Sequence, residues 1–173
     1  MYFYEDPLYP ATVLMSEKID FPLLKGLSKF YSTKNKDSKR YSRLYSFASQ
    51  FCEVSASKLV LGNKLIKYYP GQRKKLKKVA NDSKKLAKKV RKLHALYKKL
   101  WLKERKPFGL EEMDYRFAGL AARLDYCTDT IRAFLKGEIH GIAELQQNIP
   151  LDLLKVQDTN TARKLRTKSL SLW

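Results

Sequence analysis

The chain has 173 residues, 44% of them hydrophobic, with 36 Lys or Arg against 17 Asp or Glu and a formal net charge of +19. That length supports one domain with a substantial core and excludes two large ones, and the hydrophobic share excludes a wholly disordered chain. The charge is uneven: between Lys64 and Lys106 there are 18 Lys or Arg, and the only acids are Asp82 and Glu104.

The opening "MYFYEDPLYP" lacks a basic stretch followed by an apolar one, so it does not read as a signal peptide. No apolar run approaches the roughly 20 residues that span a bilayer. A cytoplasmic protein with no membrane partner is the expectation. Pro7, Pro10 and Pro22 punctuate the first 35 residues, which predicts an extended lead-in and then a short helix near Leu23 to Tyr31. "STKNKDSK" reads as a polar loop.

From about Arg40 the positions Tyr41, Leu44, Ala48, Phe51, Ser55, Leu59, Gly62 and Ile66 recur at helical spacing, and "YYPGQ" ends that helix. A second stripe follows through Leu76, Val79, Ala80, Leu86, Ala87, Val90, Leu93, Tyr97, Leu100 and Trp101. Its phase survives Asn81-Asp82-Ser83, yet these are good capping residues, so one long helix and two stacked ones fit equally well. A third stripe runs through Met113, Phe117, Leu120, Leu124, Cys127, Ile131 and Phe134, stops or bends at Gly137, and can resume through Ile139, Ile142 and Leu145 towards Pro150. The expected fold is all-α: an antiparallel bundle of three to five helices behind an irregular N-terminal lead-in. The segments are then a lead-in with a short helix (1–35), the helical bundle (36–150) and a weakly patterned tail (151–173) expected to be disordered or a terminal helix.

Few residues in the chain suggest chemistry. The lysines between residues 74 and 99 lie off the apolar stripe. They read as a solvated face with stems covering apolar edges, and nucleic-acid binding is the less favoured reading. His94, His140, Cys52 and Cys127 have no neighbours at metal-ligand spacing, and no phosphate loop, serine elbow or Cys/His constellation is present. No metal and no cofactor is expected. The acidic group Glu111, Glu112 and Asp114 follows Pro107 and Gly109, where carboxylates favour the positive end of a starting helix by roughly 0.3–1 kcal/mol each. Asp114 and Arg116 are two apart and point to different faces, so each is free to meet a separate partner.

The pattern "LW-x4-KPFGLE-x2-D-x-R-x2-GL-x2-RL", Leu100 to Leu124, resembles the C-terminal helical region of bacterial family 20 β-N-acetylhexosaminidases of the streptococcal C type. "FLKGEIHGIAEL" (Phe134 to Leu145), "ASKLVLGNKL" (Ala56 to Leu65) and "YEDPL" (Tyr4 to Leu8) fit the same resemblance. It implies a preceding (β/α)8 catalytic barrel, in which an Asp-Glu pair works with the substrate's own N-acetyl group. This chain has no Asp-Glu dipeptide and no run of parallel strands, so it is expected to have no catalytic residue and no activity alone. The resemblance further implies a barrel-docking or site-supporting surface formed by Trp101, Lys106, Phe108, Glu111, Asp114 and Arg116. The partner expected there is the barrel domain, and a homodimer is also compatible with it. With Met1 just upstream of "YEDPL" and a tail that matches nothing in the pattern, the chain is expected to be a separately encoded or truncated enzyme C-terminus.

Overall fold

The computed structural model describes residues 2–10, 13 and 21–146. Among these residues, one 3-10 turn (Tyr2–Tyr4) is followed by four long helices and a short one: α1 (Phe21–Asp37), α2 (Ser42–Tyr68), α3 (Arg73–Glu104), α4 (Leu110–Lys136) and α5 (Ala143–Gln146). Consecutive long helices are joined by short turns and pack side by side, α1 on α2, α2 on α3 and α3 on α4. This is the antiparallel all-α bundle that the three stripes predict. The tail expected over residues 151–173, the continuation from 147 to Pro150 and most of the 11–20 lead-in lie outside the described residues.

Each turn has a local cause. The α2–α3 turn is Tyr69-Pro70-Gly71-Gln72, in which Pro70 offers no donor to extend α2 and its bond to Tyr69 is cis. At the α3–α4 turn Pro107 stops α3, and Gly109 adopts φ 85°, a left-handed conformation that strains any residue with a Cβ. Gly137 ends α4 in the same conformation, and the Gly137 and Glu138 N–H groups close onto the Phe134 and Ala133 carbonyls. Arg73, the first residue of α3, completes that end, donating to the Leu135 carbonyl at 2.5 Å and lying over the Phe134 ring.

α3 is one continuous helix of 32 residues, about 48 Å long. The capping residues in its middle are occupied by neighbouring helices. Asp82 accepts from Lys64 of α2 at 2.8 Å, and Ser83 Oγ donates to the Leu124 carbonyl of α4 at 2.7 Å. α1 is longer than the sequence suggests, and "STKNKD" continues the helix to Asp37. Thr33 satisfies its hydroxyl on the Lys29 carbonyl one turn back, and Tyr31, just ahead of the run, stacks on Tyr45 of α2.

The core lies where α3 is flanked by α2 and α4, with Leu61, Leu65, Leu76, Val90, Leu93, Phe117, Leu124 and Ile131 all essentially without solvent contact. The N-terminal segment belongs to it. Phe3 stacks on Phe51 of α2 at 4.8 Å and meets Phe117 of α4 edge-on at 5.7 Å, and Leu8 is fully buried. Pro10 presses so closely on Gly62 of α2 that a Cβ there would sit 2.8 Å from the Pro10 Cβ.

Candidate functional site

The six residues singled out by sequence surround the α3–α4 corner. Trp101, in the last turn of α3, is half-buried, and its indole Nε1 donates to the Lys106 carbonyl at 2.9 Å. The Arg105 guanidinium covers its ring at 4.8 Å, and Gly109 lies against its far edge. Trp101 thus braces the corner from inside. Phe108, at the tip, is 80% exposed. Lys106 and Glu111 are also exposed.

Asp114 and Arg116 do meet separate partners. Asp114 bridges back to α3, with His94 Nε2 2.6 Å from Oδ1 and Lys98 Nζ 3.1 Å from Oδ2. A carboxylate only accepts, so the His94 proton sits on Nε2 in this pairing. The hydrogen bond from His94, reinforced by Lys98, holds the Asp114 carboxyl below its ordinary value. The His94 ring lies flat on Phe117 at 5.1 Å. Arg116 pairs with Glu112 one turn earlier at 2.7 Å, and its guanidinium is 5.7 Å from the Tyr4 ring.

Asp114 is held by His94 and Lys98, Glu112 is in an exposed ion pair, and Glu111 faces solvent. Among the described residues, no three His, Cys, Asp or Glu side chains are grouped as metal ligands. No helix among them is long and apolar enough to cross a membrane.

Two features escaped the sequence reading. Tyr115 is 75% exposed and adds a second solvent-facing ring to the start of α4; its signal was an aromatic off the apolar stripe. The other is a chain of rings running inward from the corner. Trp101 contacts Tyr97, Tyr97 contacts Phe117 and Phe47, and Phe117 contacts Phe3. Through these rings the corner is linked to the buried N-terminal segment.

That segment is fixed by charge as well. Asp6 accepts the Leu8 N–H at 2.8 Å and Arg123 Nε of α4 at 2.5 Å, and Arg123 reaches Glu144 of α5 at 3.5 Å. Lys58 of α2 is buried nearby. Burial pushes its ammonium down to about 8, against the opposing pull of Glu5 and Asp6.

The family model described as Glycoside Hydrolase 20C C-terminal domain matches residues 3–164. No curated protein matches the chain.

Proposed function

The chain belongs to the glycoside hydrolase 20C C-terminal domain family, an accessory domain associated with a glycoside hydrolase's catalytic domain, and from that premise we propose that it packs on a β-N-acetylhexosaminidase barrel. In this reading the α3–α4 corner is the docking surface and the chain supplies no catalytic residue. The observation that carries it is the pair Phe108 and Tyr115, exposed by 80% and 75% on a corner whose backbone is pinned from beneath. Large apolar rings held out by a rigid frame gain by being covered, and they lose little conformational freedom in the process. Trp101, Lys106 and Asp114 then act as the frame, with Phe108 and Tyr115 as the contact.

Co-expression with a matching barrel domain tests this. The two should co-purify, and Phe108→Ala with Tyr115→Ala should weaken the association at least tenfold while leaving the helical signal intact. Arg116→Ala should weaken it less, because Arg116 is engaged with Glu112 and Tyr4. Co-purification that ignores the double substitution sinks the assignment of the corner. A homodimer of this chain that the same substitutions split would assign the corner to a second copy instead.

A further inference from the structure

Three basic residues on the flanks of α3 are neutralised by neighbouring helices: Lys89 by Glu53 of α2, and Arg91 and Lys98 by Asp125 and Asp114 of α4. A row on its outward side is not. Lys74, Lys77, Lys84, Lys88, Lys92 and Lys99 are all exposed, and none has an acidic partner among the described residues. At 100° per residue these six fall within about 80° of arc, forming one stripe. From Lys74 to Lys99 the stripe runs about 37 Å at the helical rise. α3 is unbroken throughout, so the stripe is straight and preformed.

We propose that the outward lysine stripe of α3 is a sequence-independent binding surface for duplex nucleic acid, contacting phosphates along the backbone. This goes beyond the docking role at the corner and uses none of its residues. A duplex carries one negative charge per roughly 1.7 Å of axis, so a rigid row of cations of this length meets many phosphates at once. Lysine suits that task, because its compact ammonium needs no fixed geometry, whereas reading bases draws on the planar forks of Arg, Asn and Gln. Between Lys74 and Lys99 the stripe includes only Asn81 and Ala95 besides the lysines, with no aromatic ring on which unpaired bases could stack. It also lacks the apolar side chains with which an amphipathic helix enters a lipid surface.

The experiment is fluorescence anisotropy of a labelled 24-base-pair duplex against the whole chain, titrated from 50 to 200 mM salt. Six phosphate contacts predict a loss of about a thousandfold in affinity over that range. Lys77→Gln, Lys84→Gln and Lys88→Gln together should flatten the log–log salt slope by about 3. A matched triple on α1, Lys29→Gln, Lys34→Gln and Lys36→Gln, removes the same charge and should leave most of the slope. If both triples weaken binding equally, net charge is responsible and the stripe is not a site. No binding at 50 mM salt, or tighter binding to phosphatidylserine vesicles than to duplex, also overturns the proposal.

Discussion

Arg123 donates from Nε to Oδ2 of Asp6 at 2.5 Å, joining α4 to the N-terminal segment across 117 residues. The two partners differ in exposure, Asp6 keeping 5% of its side-chain surface and Arg123 33%. The carboxylate is therefore the member that suffers most if the pair is broken. Asp6→Ala removes the acceptor of both Arg123 and the Leu8 N–H. The expected loss is about 3 kcal/mol, at the lower end for a broken buried pair because Arg123 retains water and Glu144. Urea unfolding followed by circular dichroism measures it. Lys136→Ala, which breaks an exposed pair with Glu138, should stay within about 0.5 kcal/mol. Equal effects would mean that the segment is not held by this pair.

Lys58 makes stability depend on alkaline pH in a defined direction. Its ammonium is pushed from 10.5 down to about 8 in the folded chain, chiefly by burial. Between those values the unfolded chain binds more protons than the folded one, so stability rises with pH across that window. The contribution is complete above about 10.5 and is lost as pH falls through about 8. Tyr4 and Cys127, both pushed up to about 12 by burial, act in the opposite direction above their ordinary values. Comparison with Lys58→Met cancels them, because both proteins share them. The stability of the native chain relative to Lys58→Met should climb by roughly 3 kcal/mol between pH 8 and pH 10.5. A flat difference curve across that range would show that Lys58 is hydrated in the folded protein.

The sequence shows the helices clearly and their long-range partners hardly at all. Leu76, Val79, Leu86, Val90 and Leu93 mark the inner face of α3 by period alone, and all are buried. Pro70, Pro107 and Gly109 likewise mark the two turns that set the hairpins. Where side chains have two uses, the pattern fails. Asp82 and Ser83 have the chemistry of caps, yet inside α3 they are bonded to Lys64 of α2 and to the Leu124 carbonyl of α4. "YEDP" looks like a solvated entry, yet Glu5 and Asp6 are buried, because their neutralising partners lie on helices far along the chain. At the corner, Asp114 reads as helix-start electrostatics, whereas its main contacts are His94 and Lys98 on the preceding helix. Periodicity reports which face is covered and carries no information on which residue covers it.

Gly62 and Gly26 test that covering, because the same substitution should have opposite signs at the two sites. Both glycines lie inside helices, where alanine is intrinsically better by about 0.5–1 kcal/mol. A Cβ on Gly26 of α1 would meet nothing within 4 Å, so Gly26→Ala should stabilise the protein by about that amount. A Cβ on Gly62 would lie 2.8 Å from the Pro10 Cβ and 3.2 Å from the Val13 Cγ2. The proline ring cannot rotate away, so the N-terminal segment must lift off α2 to make room. Gly62→Ala should therefore cost about 1–3 kcal/mol despite its better helix propensity. Pro10→Gly removes the nearest atom, and in that background the cost of Gly62→Ala should shrink, a coupling that a double-mutant cycle reads directly. Stabilisation by Gly62→Ala matching that of Gly26→Ala would show that the segment does not seat against α2 in solution.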